Sequence, residues 1–125
     1  MLRIVGIQRA DTPDREFVLL QNQGSMRVNL RAYVLMSEAA VATGSLYSTS
    51  HVFSDEVHIA PGMYVLLLSG CGESKWTRTK EGMHVYQTYM NQDRPVWSRL
   101  EGPLHIMHAH HTYVERTADV ITMRR

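Results

Sequence analysis

Turn-forming residues recur roughly every ten positions along this chain, and that spacing restricts its fold more than any other feature. Thr12-Pro13-Asp14, Asn22-Gln23-Gly24, Ala60-Pro61-Gly62, Ser69-Gly70-Cys71-Gly72, Glu81-Gly82, Asn91-Gln92-Asp93 and Glu101-Gly102-Pro103 separate short runs rich in Val, Ile, Leu, Tyr and Phe. Short apolar runs bounded by Pro, Gly, Asn and Asp read as the strands of an all-β sandwich or barrel. Strands are expected near Leu2–Gln8, Glu16–Asn22, Val28–Leu30, Tyr33–Ser37, His51–Phe53, Met63–Ser69, His84–Tyr89, Leu104–His108, Thr112–Val114 and Val120–Met123. Pro61-Gly62 supplies the fixed φ and the positive φ that the central positions of a type II turn require. Tyr64–Leu68 is apolar on both faces, as in a strand covered from both sides, and too short for a free helix. Glu38–Ser50 reads as a loop with at most one helical turn, because Thr43-Gly44 and a Ser/Thr-rich stretch follow its alanines.

Alternation then selects the core. Side chains two apart along a strand face the same way, which puts Val18, Leu20, Leu30, Leu35, Phe53, Val65, Leu67 and Trp97 in one core between two sheets. It also puts Phe17, Leu19 and Gln21 on the opposite face, where Leu19 needs cover. That cover is expected either from Glu38–Ser50 or from a second copy in a weak homodimer.

The 125 residues suffice for one domain, 1–125, that buries roughly two-thirds of its unfolded surface without staples. Composition is ordinary for a globular chain, 44% hydrophobic and 20% charged. Thirteen Lys and Arg against twelve Asp and Glu leave a net charge of +1, which supplies no long-range attraction for nucleic acid or an acidic membrane. The lone Cys71 has no intramolecular disulfide partner. The first nine residues are too short and too interrupted for a signal-peptide core. The longest apolar stretch, Met63–Leu68, is far below membrane-spanning length, so the expectation is a cytoplasmic protein off the membrane.

The order of the segments resembles the lamin-tail domain family. Arg15-Glu16-Phe17-Val18-Leu19-Leu20-Gln21-Asn22-Gln23-Gly24 is similar to the family's Glu-aromatic-Val-x-Leu-x-Asn-x-Gly strand and turn. Val28-Asn29-Leu30-Arg31-Ala32-Tyr33-Val34-Leu35 resembles its Val-Asp-Leu-Ser-Gly-Trp-x-Leu stretch, with Ala32-Tyr33 in place of Gly-Trp. Val52-Phe53, Ile59–Gly70 and Val96-Trp97 follow in the family's order, although Ser98–Pro103 replaces the Asn-Asn-Gly-Asp that follows its Trp. The resemblance implies an immunoglobulin-like β-sandwich of two mainly antiparallel sheets. It implies an interaction or scaffolding module rather than an enzyme, and no catalytic residue or cofactor carries over.

Three constellations could bear chemistry of their own. His105, His108, His110 and His111 cluster near the end of the chain, and in a strand His108 and His110 would face one metal together. The third ligand would come from His58, His84, Glu115 or Asp119. A polar hairpin is the simpler reading, because two histidines without a defined third ligand are a weak metal signal. Lys75-Trp76-Thr77-Arg78-Thr79-Lys80 interleaves an aromatic with three cations, the pattern that holds single-stranded nucleic acid. With charge near balance, it reads first as a solvated loop with Trp76 folded back on the domain. Cys71 between glycines has no neighbouring base to activate it, and Asp11, Asp14 and Glu16 lack the loop of a calcium site. The expectation is a non-enzymatic interaction module of unidentified protein partner, with a histidine metal domain and a nucleic-acid binder as alternatives.

Overall fold

A computed structural model describes residues 1–44 and 49–109. In chain order they form β1 (Leu2–Gln8), β2 (Phe17–Asn22), β3 (Val28–Asn29), β4 (Tyr33–Met36), α1 (Glu38–Thr43), β5 (Ser50–Val52), β6 (His58–Ile59), β7 (Tyr64–Leu68), β8 (Lys75–Arg78), β9 (His84–Tyr89) and β10 (His105–His108). The fold is all-β, with three sheets ordered β1-β2-β7-β9-β8, β10-β4-β5 and β3-β6. Among the described residues every pairing is antiparallel except β7 with β9, which run parallel. Among the described residues no helix is long and apolar enough to cross a membrane.

Alternation does what the sequence predicts. In β2 the residues Val18, Leu20 and Asn22 are buried while Phe17, Leu19 and Gln21 are half-buried, and β7 repeats the pattern with Val65 and Leu67 inside. All eight residues expected in the core are there, joined by Leu2, Tyr33, Ile59 and Tyr86. Leu20 and Leu67 come from the five-stranded sheet, Leu35 from the three-stranded one and Ile59 from the pair, so one core serves all three. Pro61-Gly62 forms the expected turn, with Gly62 at φ 83° and the Met63 amide donating to the Ala60 carbonyl at 3.1 Å.

One buried carboxylate fixes how the chain returns to this core. Glu16 is fully buried, and its Oε1 accepts hydrogen bonds from the Ser69 hydroxyl (2.6 Å) and the amides of Val96 (2.7 Å) and Trp97 (3.0 Å). Arg9 holds the same segment from the other side, donating to the carbonyls of Trp97 and Gly102. Among the described residues, Glu16 Oε2 and Trp97 Nε1 are buried without a hydrogen-bond partner.

Four segments differ from expectation. Lys75–Arg78 is a strand, not a solvated loop, because its backbone pairs with β9 although its side chains stay mostly exposed. Glu38–Thr43 is a helix within the expected loop: the Ser37 hydroxyl accepts from the Ala40 amide, and Gly44 ends it at φ 66°. Such a cap supplies one of the orphan amides with an acceptor. The strand expected over Val28–Leu30 stops at Asn29, whose side chain accepts from the Arg31 amide and turns Leu30–Ala32 into a 3₁₀ helix. β6 was not anticipated at two residues' length. The strands expected at Thr112–Val114 and Val120–Met123 lie outside the described residues.

Candidate functional site

The histidine cluster does not converge where it is described. β10 pairs Ile106 with Leu35 and His108 with Tyr33, while His105 pairs with Met36 on the other face. His105 Nε2 lies 2.6 Å from Glu38 Oε2, a hydrogen bond that ties β10 to the first turn of α1. His108 stacks on Tyr33 at 4.5 Å between ring centroids and 9° between planes. His110, His111, Glu115 and Asp119 lie outside the described residues, and among the described ones no three His, Cys, Asp or Glu side chains are placed to hold a metal. Cys71 is exposed, with its thiol 3.9 Å from the Gln92 carbonyl. Asp11 and Asp14 are exposed, whereas Glu16 is sealed in the core, so the three do not face a common site.

The outward face of the five-stranded sheet is apolar at its centre. The register aligns Leu19 with Leu66 and Gln87, Phe17 with Leu68 and Tyr89, and Gln21 with Tyr64 and Val85. All are half-buried except Val85, which is buried. Leu19 rests against Gly6 and floors a shallow groove of about 190 Å³ walled by Tyr64, Thr79, Glu81, Met83 and Val85. The wall beside Leu19 is therefore the turn between β8 and β9. Glu38 of α1 meets His105 and Gly102 instead, on the other sheet's side.

The inward face of the same sheet changes character at β9. Tyr86 donates to Asp55 Oδ2 at 2.6 Å and Thr88 donates to the same oxygen at 3.2 Å, while Ser74 Oγ lies 2.8 Å from Thr88 Oγ1. Burial alone would raise the Asp55 carboxyl. The hydroxyls of Tyr86, Ser74 and Thr88, with attraction to His51, outweigh it and hold the group below the usual carboxylate range. Burial lowers His51 despite Asp55 nearby. Tyr86 is raised, by burial first and then by its bond to Asp55. Sequence reading passed over this cluster. Its available signal was a tyrosine and a threonine two apart in β9, a polar pair on a core face that must find a partner.

β8 splits the cation–aromatic segment between two faces. Lys75 pairs with Gln87 and Thr77 with Val85 on the outward side, whereas Trp76 pairs with Tyr86 and Arg78 with His84 on the inward side. Trp76 is 44% exposed and meets Tyr86 at 5.2 Å and His84 at 6.4 Å, both edge to face. Lys80 lies in the turn, where the Gly82 amide donates to the Thr79 carbonyl.

The chain matches no protein-family model, no curated protein and no solved structure.

Proposed function

We propose that this chain is a non-enzymatic interaction module, an immunoglobulin-like β-sandwich of the lamin-tail kind whose outward sheet face pairs weakly with a second copy. The observation that carries the reading is that face itself, where Phe17, Leu19, Leu66 and Leu68 stand together half-buried on β2 and β7. A contiguous apolar patch on a sheet face offers a surface that a weak contact can cover. A copy of the same chain suits it because the centre of the patch carries no charge to repel itself, and a two-fold contact uses the patch twice.

Size sets the strength. Three strands about 4.8 Å apart and five residues long, at about 3.3 Å each, project to roughly 250 Å². That is well short of the roughly 800 Å² per partner of a standard interface, so a dimer on this patch is weak. The fold assignment is supported by the order of the resembling segments and by the use they find here. Glu16 of the first segment accepts from the Val96 and Trp97 amides of the last, and Trp97 fills the core.

Analytical ultracentrifugation tests the proposal. Wild type should pass from monomer toward dimer as concentration rises into the high micromolar range. Leu19→Glu should stay monomeric with an unchanged circular-dichroism spectrum. A wild type that remains monomeric throughout that range rejects the dimer.

A further inference from the structure

On the inward side, where β8 reaches past the core, the edge of the five-stranded sheet and the small β3-β6 sheet enclose an open groove of about 430 Å³. Its lining is Arg27, His58, Ala60, Met63, Trp76 and His84. That volume lies in the range of small-ligand sites, and its chemistry is one-sided: an arginine, two imidazoles and an indole, with no carboxylate. Arg31, a few residues away, pairs with Glu56 at 3.7 Å. The side chains of Arg27 and His58, by contrast, have neither an ion-pair nor a hydrogen-bond partner among the described residues. Asp55, the carboxylate on this side of β9, is engaged by the hydroxyls of Tyr86 and Thr88. Arg78 extends the cationic side, since it pairs with His84 on the same face as Trp76.

We propose that this groove binds single-stranded nucleic acid, with a base on the Trp76 indole and the backbone phosphates at Arg27 and Arg78. The indole is pinned by the edges of Tyr86 and His84 and still 44% exposed, so its stacking surface is set before a ligand arrives. Every base has a π-face, so stacking of this kind accepts any sequence. Arg27 lines the groove and Arg78 stands beside His84 at its β8 edge, so a strand with successive phosphates can engage more than one cation. A net charge of +1 leaves attraction to these local groups, so binding is weak and salt-sensitive. The groove faces away from the outward patch, so this inference does not depend on the proposed dimer.

Fluorescence anisotropy with a labelled oligothymidylate of about ten nucleotides, within the span one small β domain covers, tests it. Binding is expected at about 50 mM salt, weakening as salt rises with a slope near −0.7 for each phosphate neutralised. Trp76→Ala should weaken binding about ten-fold or more, and Trp76→Phe should restore most of the loss. Arg27→Ala should weaken binding and flatten the salt slope by about 0.7. Arg99→Ala, at an exposed cation outside the groove lining, should leave the affinity unchanged. Thermal melts of each variant separate lost binding from lost fold. The proposal is overturned if wild type does not bind at low salt, or if Trp76→Ala and Arg27→Ala both bind normally. It is also overturned if thymidine monophosphate or polyglutamate competes as well as the oligonucleotide.

Discussion

The core-side face of the five-stranded sheet is two surfaces in one register. Over β2 and β7 it is dry: Val18, Leu20, Val65 and Leu67 are all 0% exposed against Leu35, Phe53 and Trp97. Over β9 and β8, continuous in hydrogen bonding, it ends in hydroxyls, an indole and a guanidinium: Tyr86, Thr88, Trp76 and Arg78. The dry half holds apolar side chains and polar ones that find partners inside, as Asn22 and Glu16 Oε1 do, since an unpaired buried polar group costs about 1–3 kcal/mol. The polar half meets that demand with Asp55 where it is covered and with solvent where it is open. One half therefore stabilises, and the other is available to a ligand.

The largest effects that would break this contrast lie in the dry half, which holds its one carboxylate at Glu16. Glu16→Ala strands the Ser69 hydroxyl and the Trp97 amide, both buried, and the part-buried Val96 amide, and at about 1 kcal/mol or more for each buried donor the loss is about 2–3 kcal/mol. Chemical denaturation should show this as a drop in midpoint. A change below about 1 kcal/mol would mean that the 96–97 segment is held by something else. Leu20→Ala should cost about 2–5 kcal/mol, because Leu20 is fully enclosed and the cavity collapses only in part. A smaller loss would show that the dry half is loosely packed.

Which parts of this were legible follows from which residues bury something. β2 and β7 could be read because one face of each is sealed, so alternation is written into Val18, Leu20, Val65 and Leu67. β8 buries neither face, and its identity comes from pairing with β9, a long-range fact that Lys75-Trp76-Thr77-Arg78 does not announce. The parallel run of β7 beside β9 is likewise invisible in local pattern. The helix over Glu38–Thr43 was within reach, since Ser37 before an alanine-rich turn is an N-cap signal. The groove around Trp76 was half legible: the aromatic and its flanking cations stand together in the chain, but Arg27 and His58 arrive only through folding.

A smaller effect should distinguish the halves by pH. His51 and Asp55 both have folded pKa values below their ordinary ones, so the unfolded chain binds protons more readily and stability falls with acid. The His51 share is present above about pH 6.5, the ordinary imidazole value, and is lost as pH falls from there toward its lowered folded pKa. The Asp55 share is present above about pH 4 and is lost as pH falls through its folded pKa. Melting temperature should thus decline in two stages. His51→Gln should remove the upper stage and Asp55→Asn the lower, and a decline unchanged in both variants would assign the pH response elsewhere.

The smallest effect on stability is expected at Trp76, and its smallness is what matters. An aromatic of this size at a buried site would cost about 3–5 kcal/mol on truncation to alanine. Trp76 is 44% exposed and its protein contacts are edge meetings with Tyr86 and His84, pairs worth about 0.5–1.5 kcal/mol each at most beyond area. Solvent already reaches much of the ring, so its removal leaves no cavity. Trp76→Ala should therefore lower unfolding free energy by about 1–2 kcal/mol in urea titration, below the cost at a fully buried site, with the m-value unchanged. A large indole kept on an edge strand for so little stability is not there to hold the fold. If the measured loss instead approaches that of Leu20→Ala, the ring is part of the core, the two halves of the face are one, and the stacking role falls with the distinction.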